Sequence, residues 1–301
     1  MNPQLLLAYG SPVAAAFPRR WARACARAAG DIGAALLPHA RAVVDANLQQ
    51  ALGAPAPAAL RRQVFRSYAL YYLEAMRLAQ RAPEAAVGAV RLHGEEALAA
   101  TLARGRGALV LGAHLGNWDV AGAALVRRFG ALTTFAEPLR PERLQRFYNG
   151  MRQRHGMRVV PLGSRTRLPW AVLRDNGILG LLVDRTYDGR QLAVPFGCGE
   201  LLVPTAGIRV ALQAGAGIHA FFPLRREDGF VVEIGADLAA PAAGAVAAPE
   251  VRAVAAAFAA ALLAVVRRHP EQWCLLQPVG ALPPTERRQE RRPMALAGES
   301  R

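Results

Sequence analysis

The sequence predicts an α/β fold, a single domain over residues 1–301 with a central, largely parallel β-sheet flanked by helices and a helical region over 1–80 that associates with a membrane surface. Three observations carry this reading. Short apolar runs alternate with helical stripes from about residue 108 to residue 234, the pattern of a sheet wound with crossover helices. The chain has 301 residues, enough for one large core. Its first 80 residues carry helical periodicity and no strand pattern.

The elements follow in order. Residues 36–52 read as a helix, closed by the breaker Gly53-Ala-Pro-Ala-Pro57. Leu60, Val64, Tyr68, Tyr71, Tyr72, Ala75 and Leu78 form a helical stripe. Strands are expected at Ala108–Ala113, Leu132–Ala136, Arg158–Leu162, Ile178–Asp184, Gly217–Phe222 and Phe230–Ile234. Helices are expected between them at Val120–Arg128, Pro141–His155, Leu168–Asn176 and Thr205–Ala214. An Ala/Pro loop at Ala239–Pro249 leads into a helix over Arg252–His269, and the Arg/Glu-rich tail over 283–301 reads as frayed.

Composition narrows the classes. Hydrophobic residues at 53% and charged residues at 20% exclude a disordered chain. The net charge is +15, and all 37 basic residues are arginine. Arg, Ala, Gly and Pro in excess with lysine absent point to a GC-rich coding sequence, so part of the charge is compositional bias. Three cysteines without a Cys-x-x-Cys pair exclude a disulfide framework and a cysteine zinc site. The six histidines include no His-x-x-x-His pair, so no metal is expected. No run reaches the roughly 20 apolar residues a spanning helix needs, and Ala253–Val266 reads as a buried helix. Near the N-terminus, Arg19, Arg20, Arg23 and Arg27 share one side of a helix ahead of the first acid, Asp31, with Phe17 and Trp21 as apolar anchors. This pattern suits an anionic membrane surface. The alternative is a basic face in solvent, packed on the domain through its alanines.

The chemical centre is Ala108-Leu-Val-Leu-Gly-Ala-His-Leu-Gly-Asn-Trp-Asp119. His114 falls just beyond the C-terminal end of a strand, where open parallel sheets bind ligands. Asn117 is placed to cap the following helix, and Asp119 lies in that helix's first turn. A loop bent at Gly112 and Gly116 would let Asp119 reach one imidazole nitrogen and leave the other for the pocket. That arrangement makes an oriented general base. No Gly-x-Ser-x-Gly nucleophile elbow accompanies it. Cys198, in Gly-Cys-Gly, is the alternative nucleophile for a Cys/His relay.

His114-Leu-Gly-Asn-Trp-Asp119 is a His-x4-Asp motif, and it resembles that of the glycerolipid acyltransferases. With Gly-Asn-Trp at its centre it resembles the bacterial lipid A acyltransferase and phosphatidylinositol mannoside acyltransferase superfamily. Asn47-Leu48, Gly105-Arg-Gly-Ala, Leu182-Val-Asp184-Arg185, Val194-Pro-Phe-Gly197, Val210-Ala-Leu-Gln-Ala-Gly215 and His269-Pro-Glu-Gln-Trp273 follow in the same order, so the likeness covers nearly the whole chain. Asp119 in place of Glu, and the segment Thr133–Leu144, look closer to the mannoside branch.

The resemblance implies a glycerolipid-acyltransferase-like fold and transfer of an acyl group from acyl-CoA or acyl carrier protein, with no cofactor, to a hydroxyl of a glycolipid. The acceptor implied is a phosphatidylinositol mannoside, with a lipid A precursor as the alternative. The catalytic set it implies is His114 as base, Asp119 as its partner and Glu200 as an assisting acid. Asn117, Glu137, Asp184 and Arg185 are the expected substrate contacts, with Arg185 and amides near Gly116 as oxyanion donors. Arg140, Arg143 and Arg146 are candidate head-group contacts. The expected location is peripheral, on the cytoplasmic face of the inner membrane, with no nucleic-acid partner. The reading from a different class is a non-catalytic basic protein that binds membrane or nucleic acid.

Overall fold

The computed structural model describes residues 11–163, 167–185, 191–239 and 248–280. The expected tail over 283–301 and most of the Ala239–Pro249 loop lie outside these residues. After a helical segment over residues 11–16, three longer helices follow: α1 (Arg19–Leu36), α2 (Pro38–Leu52) and α3 (Ala58–Gln80). The remainder runs α4 (Pro83–Val87), β1 (Val90–His93), α5 (Glu95–Ala103), β2 (Ala108–Gly112), α6 (Trp118–Phe129), β3 (Leu132–Ala136), α7 (Glu142–Arg154), β4 (Met157–Pro161), α8 (Leu168–Arg174), β5 (Ile178–Leu182), β6 (Gln191–Phe196), β7 (Gly199–Pro204), α9 (Ala206–Ala214), β8 (Gly217–Arg225), β9 (Phe230–Asp237) and α10 (Ala248–Arg268).

Seven strands form one sheet in the order β1-β9-β8-β2-β5-β3-β4. All neighbours pair parallel except β8 with β9, as expected for a largely parallel sheet. The central strand β2 is buried along its whole length, so it reads as continuous apolar sequence rather than alternation. Its side chains divide between two faces. Leu109 and Leu111 pack with α9, α10 and the antiparallel β6–β7 hairpin. Ala108 and Val110 pack with α5 and α6.

The long apolar helix α10 buries Val254, Phe258, Leu262 and Val266 in the first of these cores. One face of it is buried, as its sequence suggests, while Arg252, Ala260 and Ala264 on the other face are exposed. α1 lies along α3 through Ala22, Ala26, Gly30 and Ala34, one residue every four. The two backbones approach so closely at Gly30 that a Cβ there would stand 2.6 Å from the Arg66 Cα. This alanine stripe is the packed face, while Trp21 (56% exposed) and Leu36 (71%) lie open to solvent.

Candidate active site

β2 and β5 are adjacent and parallel, paired from Ala108↔Ile178 to Gly112↔Leu182. The helix that follows β2 covers one face of the sheet, and the elements that follow β5 cover the other. A crevice opens where such connections diverge. Two residues past each paired end stand His114 and Asp184, so the register itself brings them side by side. His114 Nδ1 lies 2.8 Å from Asp184 Oδ1. The second carboxylate oxygen accepts the His114 amide at 2.8 Å and the Trp273 indole N–H at 3.0 Å.

Asp184 is fully buried with both oxygens engaged, so its expected part as a substrate contact is corrected to that of the imidazole's partner. Burial opposes its charge, but the imidazole, the indole and the His114 amide outweigh it and hold the carboxyl below the usual carboxylate range. An ionised carboxylate only accepts, so Nδ1 is the donor in this bond, and in the corresponding neutral tautomer Nε2 is the nitrogen with the lone pair. A carboxyl with a depressed folded-state value stabilises the fold above its unfolded value of about 3.9 and loses that contribution as pH falls through the folded value. The stability difference between the wild type and Asp184→Asn, read as urea midpoints, is therefore expected to be constant near neutrality and to shrink only below about pH 3.9.

The loop that carries His114 is built into the domain on every side. The His114 carbonyl accepts the Cys274 amide at 2.7 Å, and Leu115 forms a bridge with Trp273. The Gly116 amide donates to the Gln272 carbonyl at 3.0 Å. Gln272 in turn holds the backbone of Arg225. Arg225 donates to Glu74 at 2.6 and 2.8 Å, and Glu74 accepts the Asn117 amide at 3.0 Å. Gly116 has φ +56, and a Cβ there would sit 2.1 Å from the Pro223 carbonyl oxygen. Gly116→Ala is thus expected to cost well over about 1 kcal/mol, read as a drop in thermal midpoint, and to displace the loop.

Asn117 caps α6 as expected: its Oδ1 accepts the Asp119 and Val120 amides at 3.1 and 3.0 Å. It is fully buried with oxygen and nitrogen both engaged, so its expected part as a substrate contact is corrected to loop and helix anchor. Asp119 also differs from expectation. It does not pair with His114. Its carboxylate accepts Arg152 Nε at 2.6 Å and the Tyr71 hydroxyl at 2.8 Å, tying α6 to α7 and α3. The dipole at the start of α6 favours a carboxylate there, and Arg152 raises the local pull, so Asp119 turns toward the helices rather than back along its own loop. Asp119 raises the Arg152 pKa further against the opposing effect of burial.

Glu200 is corrected too. It stands exposed on β7, opposite Pro195, and its carbonyl accepts Gln50 Nε2. Its hairpin covers the α9/α10 face of the sheet, and Glu200 is not among the residues that line the cavity beside His114. Cys198 shares that hairpin, with its Sγ directed at the Gln49 carbonyl, which removes a relay with His114. Cys274 lies near the His114 loop, but burial pushes its thiol up to about 12, which leaves it neutral. Glu137 and Arg185 do line the cavity, and they pair with each other across the ends of β3 and β5. The amides of His114, Leu115 and Gly116 are all committed within the protein, which takes these three out of the expected oxyanion donors near Gly116. Arg140 and Arg143 are exposed, and Arg146 pairs with Glu142.

The cavity beside His114 measures about 280 Å³ and lies on the α6 face of the sheet. Its mouth holds His114, Trp118, Glu137 and Arg185; its far end is apolar, with Leu125, Leu132 and Met157. Leu132 lies level with the start of β2, so the slot extends about 20 Å from His114 at 3.3 Å per residue. Tyr71 stacks on Trp118 at 4.0 Å and closes one wall. Gly112 and Gly180, on the sheet side of the slot, present no side chain to it. Among the described residues no cluster of His, Cys, Asp or Glu has the makings of a metal site.

Residues 5–279 match the family model described as bacterial lipid A biosynthesis acyltransferase. The chain is 31% identical over 242 residues to the phosphatidylinositol mannoside acyltransferase of Mycolicibacterium smegmatis, covering 77% of each chain. It is 32% identical over 249 residues to the enzyme of the same name from Mycobacterium tuberculosis, covering 77% of this chain and 74% of that one. With a strand-end histidine opening on an apolar slot, and a family match that spans the same elements, the chain belongs to the bacterial lipid A biosynthesis acyltransferase family.

Proposed function

We propose that this acyltransferase moves a fatty acyl group from a thioester, acyl-CoA or acyl carrier protein, to a hydroxyl of a phosphatidylinositol mannoside-type glycolipid. The observation that carries the mechanism is the 2.8 Å bond between His114 Nδ1 and Asp184. It leaves Nε2 to remove the acceptor's hydroxyl proton as the oxygen attacks the thioester carbonyl. Asp184 stabilises the imidazolium that forms. The tetrahedral intermediate then expels the thiolate, which takes the proton from the imidazolium. No covalent enzyme intermediate is required. Arg185, in its pair with Glu137, lies at the mouth of the slot and supplies positive charge for the oxyanion. The apolar slot takes the acyl chain.

The mannoside-type acceptor rests on the curated relatives, both of which bear that name at modest identity. The lipid A precursor is the second reading, favoured by the family description. Membrane contact is proposed through α1, where Arg20 and Arg27 stand exposed beside Trp21, with Arg19 and Arg23 further round the helix. Peripheral binding at the cytoplasmic face of the inner membrane, with no nucleic-acid partner, is part of the same proposal. The test is to incubate the purified protein with acyl-CoA and each glycolipid in turn and follow product mass. Acylated mannoside with no acylated lipid A precursor is the expected result. The reverse pattern overturns the acceptor assignment.

A further inference from the structure

A second, larger cavity of about 570 Å³ lies between α1, the C-terminal half of α3 and the β8–β9 turn. Four arginines line it: Arg19 and Arg23 from α1, Arg77 and Arg81 from α3. The two acids in its wall are already occupied. Glu74 is held by Arg225 and Asn117, and Asp228 by Arg91. Among the described residues, Arg23 donates to a backbone carbonyl, that of Glu227, and pairs with no carboxylate. Arg77 is 9% exposed, and one of its terminal nitrogens donates to the Phe17 carbonyl. Its Nε is buried with no partner among the described residues.

A buried guanidinium without a counter-charge is costly, and three more beside it add repulsion. Burial first, then the neighbouring arginines, lower the pKa of Arg77, and burial with Arg19 lowers that of Arg81. Among the described residues, the two carboxylates that line the space, Glu74 and Asp228, are each paired with a different arginine, so neither is paired with these four cations. Forked, planar donors converging on a cavity match the oxygens of a phosphate group. A bare phosphate would fill only part of such a volume, so the space suits a phosphate carried on a larger molecule.

We propose that the Arg19/Arg23/Arg77/Arg81 cavity is a binding site for a phosphate ester. It does not depend on acyl transfer and is separate from the His114 slot. The phosphate comes from a soluble phosphorylated molecule or from a phospholipid head group. Glu74, in the cavity wall, bonds the Asn117 side chain, so an occupant would sit one residue contact away from the His114 loop.

The experiment uses the full chain and two probes. The first is inorganic pyrophosphate, read by titration calorimetry. The second is phosphatidylcholine vesicles with and without phosphatidylglycerol, read by flotation. The variant Arg19→Ser/Arg81→Ser removes two lining charges from partly exposed positions. Arg20→Ser/Arg27→Ser removes the same charge from outside the cavity. Arg81→Gln alone serves if the first double variant loses its far-ultraviolet circular dichroism spectrum. The expected result is pyrophosphate binding weakened at least tenfold by the cavity variant and unchanged by Arg20→Ser/Arg27→Ser. Loss of phosphatidylglycerol-dependent flotation in the cavity variant beyond that of Arg20→Ser/Arg27→Ser, without pyrophosphate binding, assigns the site to a lipid phosphate. If both double variants lower binding equally, or neither probe distinguishes the cavity variant from wild type, the site does not exist.

Discussion

Asp184→Asn is expected to lower kcat by about 10²–10⁴ and to leave the KM for the acceptor nearly unchanged. The carboxylate now accepts three N–H groups: the His114 ring, the His114 amide and the Trp273 indole. An asparagine has one acceptor end and one donor end. If its amide nitrogen faces the ring, Nδ1 must become the acceptor, and the proton moves to Nε2. The base is then lost with the ring still in place. If the amide turns round, its NH2 confronts the backbone and indole donors, and the loop shifts. Asp184 is fully buried and meets substrate in neither case, so the loss falls on the chemical step. Steady-state kinetics separate the two parameters. A raised KM with wild-type kcat would mean that Asp184 only shapes the binding cleft.

Asp119→Asn is expected to be primarily a stability defect. Arg152 and Asp119 are almost fully removed from solvent, with side chains 13% and 3% exposed. Neutralising the acid strands a guanidinium over Tyr148, and breaking one side of a buried pair costs about 3–5 kcal/mol. Because this pair joins α6, α7 and α3 around the slot, activity falls with the fold rather than through the imidazole. Urea unfolding reads the loss, and Asp119→Leu/Arg152→Met is expected to recover part of it. A variant within about 1 kcal/mol of wild type with abolished kcat would give Asp119 a direct part in the chemistry instead.

These two carboxylates show what a one-dimensional reading can and cannot reach. Strands β2 to β5, β8 and β9, the helix stripes and the Asn117 cap follow from local pattern, because periodicity and capping are set within a few residues. His114 at a strand end follows from the same logic. Its partner does not. Asp119 is five residues away in sequence, whereas Asp184 reaches the ring through the pairing of β2 with β5. A signal was present: Leu182-Val-Asp184 ends an apolar strand just as Ala113-His114 does. Only the knowledge that the two strands are neighbours in register turns that parallel into a contact. Trp273, Glu74 and Arg225 are hidden for the same reason, since each comes from a remote element. Strand β1 and the β6–β7 hairpin were not expected, as they are short or lack clean alternation. The alanine stripe of α1 is legible as a repeat of four, and packing against α3 makes it the buried side.

The central claim is that the His114 imidazole, aligned by Asp184, takes the proton from the attacking hydroxyl. The most direct measurement compares thiol release from acyl-CoA, with glycolipid acceptor present, for wild type and His114→Ala of matched thermal midpoint. The account predicts a loss of at least about 10²-fold in the variant, with no background thiol release dependent on acceptor. Equal rates in the two proteins would contradict it.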